Sequence, residues 1–174
     1  DGDGIPFRTL PGTHPTKGGY FTRGTTKDAY ARYSEAGPDY VYNVQRLLKK
    51  LDTAKKLVPA AIEKKADKPA RFGVIHFGST APAMAEAHEA LAARDLQLDT
   101  LRIRAFPFGD EVGKFIAAHQ TVFVVEQNRD AQMRSMLVNE LGIDPARLVP
   151  ILHFDGTPIT ARVITDAIAD RMSG

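Results

Sequence analysis

A chain of 174 residues with 43% hydrophobic and 25% charged residues can bury one sizeable core but not two, and that composition argues against wholesale disorder. It contains no cysteine, which excludes disulfides, thiol nucleophiles and any iron–sulfur cluster ligated from within, and no apolar run approaches the ~18 residues of a membrane span. The net charge of +2 conceals an asymmetry, because residues 1–70 carry 13 basic and 8 acidic side chains while residues 71–174 carry 10 and 13.

The chain opens at Asp1 without a basic stretch leading into an apolar one, so its start reads as a cut in a longer protein rather than a signal peptide. Residues 1–38 are rich in glycine, proline and aromatics and lack periodicity. An irregular stretch of that length is uncommon inside a compact domain and reads as a functional or packed junction segment. Within it, "IPFRTLPGTHPTKGGYFTRGTT" gathers Arg8, His14, Lys17 and Arg23 with the hydroxyls of Thr16 and Thr25. This is the chemistry of a binding loop, with no catalytic partner at a familiar spacing. Residues 39–70 follow as an amphipathic helix and a polar linker. In the helix Tyr40, Val44, Leu47, Leu48, Leu51, Ala54 and Leu57 share one face, a stripe that should dock on a neighbour. The linker is "PAAIEKKADKPA".

From residue 71 to 174, short apolar runs alternate with helical patterns. "RFGVIHF" reads as a first strand, and "GST" leads into a helix over "APAMAEAHEALAARD", with Ser79 or Thr80 as cap and Pro82 in the first turn. "LQLDTLRIR" is a second strand, followed by a helix near Asp110 to His119. "TVFVVE" is a near-continuous apolar run, the pattern of a strand buried on both faces and therefore central. A helix from about Asp130 to Leu141 ends at Gly142, "RLVPIL" is a fourth strand and "TARVITDAIADRM" a closing helix. The alternation predicts an α/β fold, three-layer α/β/α, with a mostly parallel doubly wound sheet and right-handed crossovers.

Several constellations invite a functional reading. Lys49, Lys50, Lys55, Lys56, Lys64 and Lys65 suggest a nucleic-acid or membrane-surface patch, but no aromatic side chains interleave with them as stacking platforms. A solvated helix face and a charged linker account for them better, so neither partner is expected. "HFGSTAPA" places Gly78, Ser79 and Thr80 at the start of a helix, where an anion is favoured. It is neither GxGxxG nor GxxxxGK[ST], so an ordinary capped turn explains it better. "EQNRDAQ" brings Glu126, Asn128 and Arg129 to the end of the central strand. Two readings stand level there: a ligand site, or Glu126 accepting backbone N–H groups while Asn128 and Asp130 cap the next helix. In "HFDGTPITA" turn chemistry and a Thr160 cap account for Asp155 and its neighbours. His14, His76, His88, His119 and His153 form no metal-ligand spacing with a carboxylate, and there is no GxSxG elbow. No metal site and no catalytic residue are expected.

The segments "DGDGIPFRTLPGTHPTKGGYFTRGTTKDAYARYSE", "NVQRLLKKLDTA", "HFGSTAPAM", "RIRAFPF", "VVEQNRDAQM" and "ILHFDGTPITARVI", in this order, resemble the C-terminal part of the α subunit of 2-oxoacid:ferredoxin oxidoreductases, most closely the 2-oxoglutarate type. The resemblance implies a transketolase C-terminal-like domain. In the intact, cytoplasmic enzyme a pyrimidine-binding domain of the same subunit would precede it. That family decarboxylates a 2-oxoacid on thiamine diphosphate with magnesium, passes electrons through an iron–sulfur cluster to ferredoxin and releases an acyl-CoA, with the diphosphate and cluster held largely by the β subunit. This chain would then bind no cofactor and be inactive alone, an assembly and active-site-supporting domain.

Carried over from the family pattern, Gly12, His14, Pro15, Lys17, Gly18 and Arg23 to Thr25 match its Gly-Thr-His-Pro segment and the Thr-Arg-Gly-Thr that follows. His14, Lys17, Arg23 and Thr25 become candidates for contacts to the upstream domain or the substrate side. Glu126, Asn128 and Gln132 match its Glu-x-Asn-x-x-Gly-Gln pattern, and Asp155, Gly156 and Pro158 its Asp-Gly-x-Pro turn. Ala131 stands where that pattern has glycine, and Lys27 where it has a His-Asp pair. Two rivals remain: a free-standing doubly wound module binding an anionic nucleotide or coenzyme A at Ser79, Thr80 and Asn128, and a protein-interaction domain outside metabolism.

Overall fold

The computed structural model describes residues 2–18, 24 and 26–173. By their internal contacts they divide into two compact units, Asp1–Val58 and Pro59–Gly174.

In the first unit the irregular segment leads into one helix, α1 (Gly37–Lys55), with a proline in its first turn and Asp39 beside the positive end of its dipole. The segment is fastened to α1 by polar side chains of the helix. Arg46 Nη1 donates to the Gly4 carbonyl at 3.0 Å, Thr53 Oγ1 to that of Asp3 at 2.6 Å, and Asn43 Nδ2 to that of Lys27 at 2.7 Å. Gly4 makes this approach feasible: its φ is +78°, and a Cβ there would sit 2.5 Å from the Lys50 nitrogen. Within this chain the apolar stripe expected to dock is uncovered. Among the described residues no side chain of α1 is buried, and Tyr40, Leu47, Leu48 and Leu51 are all exposed. The helix is held through its polar face instead.

The second unit is a five-stranded sheet between helices. Its strands are β1 (Ile62–Lys64), β2 (Phe72–Phe77), β3 (Leu98–Ile103), β4 (Thr121–Glu126) and β5 (Leu148–Leu152). Its helices are α2 (Ala81–Ala93), α3 (Asp110–Ala118), α4 (Gln132–Leu141) and α5 (Ala161–Ser173). The order across the sheet is β1-β3-β2-β4-β5, parallel throughout except for β1, which runs antiparallel to β3. This is the mostly parallel, helix-flanked α/β architecture that the alternating pattern predicts.

Successive side chains of each strand face opposite layers. Val74, Leu98, Phe123, Val125 and Ile151 pack with Met84, Ala87 and Leu91 of α2 and with Ile164 and Ile168 of α5. Ile75, Leu101, Val122, Val124 and Leu148 pack on the other face with Val112, Phe115 and Ile116 of α3 and Leu137 of α4. β4 feeds both cores, which is why its sequence reads as an unbroken apolar run, and it lies between β2 and β5.

One element departs from the sequence reading. Part of the expected linker forms β1, a three-residue edge strand whose side chains are all exposed. It is held from outside the strand: Glu111 Oε1 accepts the Ala61 N–H at 2.8 Å and Arg104 Nε donates to the Ala60 carbonyl at 2.7 Å. Beyond β1 the chain is tied down at the amino end of β3, where Asp99 accepts from Lys65 Nζ at 2.8 Å and from the Ala66 N–H at 2.9 Å and lies 3.2 Å from His119 Nε2. Burial acts to raise the Asp99 pKa, but the Lys65 ammonium, the Ala66 N–H and His119 together hold it below the ordinary carboxylate value.

Candidate functional site

The connection from β2 through α2 places β3 on one side of β2, and the next, through α3, places β4 on the other. The winding therefore reverses between β2 and β4, and in open α/β sheets a crevice opens at the carboxyl ends of such a pair. Here it encloses about 320 Å³ between Phe77, Gly78, Ser79 and Thr80 after β2, Gln127 and Asn128 after β4, and Gln132, Met133 and Met136 of α4.

The first wall is set by Gly78, whose φ of +57° turns the chain out of β2 into a single 3-10 turn before α2. No side chain caps α2, so the positive end of its dipole is left to solvent or a ligand. The second wall is different. Glu126, fully buried, accepts the backbone N–H of Met133 at 2.7 Å and of Arg134 at 2.9 Å, and the Nδ2 of Asn128 at 2.8 Å. The carboxylate thus caps the first turn of α4 from below and supplies internally the negative charge that this helix end favours.

Gln127 joins the two walls. Its Nε2 donates to Ser79 Oγ at 3.1 Å and Thr80 Oγ1 at 3.2 Å, while its Oε1 accepts the Ile159 N–H at 3.2 Å. The Ile159 contact fixes which way round the amide lies. Because both hydroxyls accept from Gln127, their own protons are left to donate, so the crevice can offer two O–H donors at a helix start against a thioether wall of Met133 and Met136. It contains no paired nucleophile and base.

Of the residues singled out from the sequence, Ser79, Thr80 and Asn128 line the crevice. Asn128 spends its side chain on structure, since Oδ1 accepts the N–H of Asp130 at 3.1 Å and of Gln132 at 3.3 Å. Glu126 lies beneath α4, and Arg129 turns outward to pair with Asp130 at 2.7 Å with both side chains mostly exposed. Gln127 escaped the sequence reading. The available signal was strand parity: Glu126 continues the face of Val122 and Val124, and Gln127 that of Phe123 and Val125.

In the first unit, Lys17 lines a cleft of about 580 Å³ together with Arg8, Lys27, Asp28, Tyr42 and Arg46. His14 is not part of its lining; its Nδ1 accepts the N–H groups of Thr16 and Lys17, both at 3.1 Å. Arg23 and Thr25 lie outside the described residues. Asp155, in the third loop, closes its own turn by accepting from the Thr157 N–H at 2.8 Å and hydroxyl at 2.7 Å. Among the described residues no group of three or more His, Asp or Glu side chains could hold a metal ion, and no helix is long and apolar enough to cross a membrane.

No protein-family model and no curated protein sequence matches the chain. Its fold is similar to part of the 2-oxoglutarate:ferredoxin oxidoreductase from Magnetococcus marinus, solved with 2-oxoglutarate, coenzyme A and succinyl-CoA bound. The TM-score is 0.82 at 19% sequence identity, over 98% of this chain and 29% of that one. The alpha chain of a probable 2-oxoacid ferredoxin oxidoreductase from Thermoplasma acidophilum aligns with 66% of this chain and 98% of its own, at 24% identity and a TM-score of 0.45. At that score the second match adds nothing to the fold assignment. The chain therefore has the fold of a domain found within a larger oxidoreductase, and spans under a third of that relative's length.

Proposed function

We propose that this chain is the C-terminal domain of the α subunit of a thiamine-diphosphate-dependent 2-oxoacid:ferredoxin oxidoreductase of the 2-oxoglutarate type, and that it supports the active-site face and subunit assembly without performing chemistry. The observation that carries the reading is the extent of the fold likeness. Doubly wound sheets are common and a match confined to residues 59–174 would be weak, but the likeness reaches 98% of the chain, including the irregular segment and α1. The ordered run of sequence segments from Asp1 to Ile164 points the same way.

In such an enzyme the 2-oxoacid is decarboxylated on thiamine diphosphate, electrons leave through an iron–sulfur cluster to ferredoxin, and the acyl group leaves on coenzyme A. The chain has no thiolate to ligate iron, and among the described residues no group of His, Asp or Glu side chains could hold a divalent cation: the fully buried carboxylate, Glu126, is consumed by backbone N–H groups and an amide. The pyrimidine-binding domain, the β subunit and ferredoxin would be its partners. His14 and Lys17, with Arg23 and Thr25, would serve the junction with the upstream domain. The reading forecasts that the encoding gene continues upstream into a thiamine-type domain; an unrelated upstream sequence would contradict it.

The switch-point crevice favours one other reading, a free-standing module that binds coenzyme A or an anionic nucleotide at Ser79 and Thr80. Calorimetry on this chain alone separates the two. The domain reading predicts no binding tighter than about millimolar for either ligand, since the rest of the pocket would lie on other chains. Micromolar binding, lost in Ser79→Ala, would favour the free-standing module.

A further inference from the structure

A second cleft lies on the α2 side of the sheet, where β1, β3 and β2 meet. It encloses about 240 Å³ and is lined by Lys64 of β1, His76 of β2, Thr100 and Arg102 of β3, and Met84 and His88 of α2, among others. Strand register assembles it. The antiparallel edge sets Lys64 opposite Thr100 and Ile62 opposite Arg102, and the parallel pairing sets His76 beside Arg102. Phe77, the next residue along β2, turns to the other face and lines the switch-point crevice.

The lining holds a guanidinium, an ammonium and two imidazoles and no carboxylate. Among the described residues neither Lys64 nor Arg102 forms a salt bridge; Asp67 and Glu89 act on His88 from outside the lining. His76 is 6% exposed, and its Nδ1 is a buried polar atom with no hydrogen-bond partner. Buried polar groups are normally satisfied, and an orphaned imidazole nitrogen beside unneutralised cations is an arrangement that an anion would complete. Met84 and Ile62 give the same cleft an apolar border.

We propose that this cleft binds a small oxyanion, a phosphate or carboxylate group, held by the Arg102 guanidinium and the Lys64 ammonium with hydrogen bonds from the His76 imidazole and the Thr100 hydroxyl, while His88, which hydrogen-bonds to the Leu98 backbone, borders the site. The planar, forked guanidinium suits either group, and the small volume suits a terminal phosphate or a short carboxylic acid better than a whole nucleotide. The site rests only on residues of the second unit and stands or falls independently of the assignment to an oxidoreductase.

The test follows the histidine ring signals of the 174-residue chain by NMR during titration with inorganic phosphate and, separately, with succinate, against sodium chloride at matched ionic strength. Saturable shifts of His76 and His88 are expected, with His119 and His153 unmoved as internal controls. A response to phosphate alone identifies a phosphate site, to succinate alone a carboxylate site, and to both a general oxyanion site. Arg102→Gln should weaken binding about tenfold, the scale of one lost charge-assisted hydrogen bond, with Lys64→Gln as an independent second variant. Unchanged His119 and His153 signals in each variant establish that it has folded. Shifts no larger than those in chloride, or binding unaltered in both variants, overturn the proposal.

Discussion

Ala131 adopts φ +50° and ψ +49° just before α4, a left-handed conformation in which a Cβ is strained. The family resemblance has glycine at this position, and the backbone supplies the reason. Ala131→Gly should raise stability by about 1 kcal/mol, read as an increase in the urea midpoint at unchanged slope. His76 gives a pH signature instead. Burial, with Arg102 beside it, lowers its pKa to about 4 from 6.5. Between those two values the unfolded chain binds the proton and the folded chain does not, so stability is full above about pH 6.5 and falls as pH drops toward 4. The contribution lost is at most about 3 kcal/mol, from 1.36 kcal/mol per unit. The lowered pKa of His88 acts in the same direction. Urea unfolding at pH 7 and pH 4.5 should therefore show a smaller loss for His76→Met than for the parent chain. Equal losses would mean that His76 is not held neutral. The glycine of the family pattern flagged the first position, but its angle is set only where β4 turns into α4, and the orphaned His76 nitrogen arises only once β2, β3 and α2 are assembled.

At the scale of elements, the β-branched run of β4 and the helical periods of α2 to α5 could be read directly, since each pattern reports which faces are buried. β1 could not, because Ile62-Glu63-Lys64 is a short exposed edge whose pairing is decided by β3 and by two anchors, Glu111 and Arg104, more than forty residues away. The stripe of α1 shows the opposite failure. Its period is correct, but periodicity names a face without naming a partner, and among the described residues that face is uncovered. The join between β4 and α4 is the most demanding local arrangement in the second unit. Glu126→Gln exchanges one acceptor oxygen for a donor that faces backbone N–H, so it should cost about 2 kcal/mol and loosen the first turn of α4. Hydrogen exchange at Met133 and Arg134 would accelerate well beyond that at Leu91, on α2. A uniform increase at both places would contradict a local capping role.

At the scale of the whole molecule, fold class followed from the alternation of strands and helices alone, whereas the function did not, because doubly wound α/β sheets host many unrelated functions and only the site tells them apart. What the sequence exposed of the switch-point crevice was its hydroxyl pair, Ser79 and Thr80, together with Asn128; Gln127, which bridges its walls, has no motif and is recognised only when the carboxyl ends of β2 and β4 come together. The central claim concerns the larger enzyme, so its most direct test is an assay of the full-length subunit containing this chain, co-expressed with its β subunit and loaded with thiamine diphosphate. The account predicts reduction of ferredoxin that requires both 2-oxoglutarate and coenzyme A. A soluble, assembled, cofactor-loaded complex that reduces ferredoxin with no 2-oxoacid would contradict it.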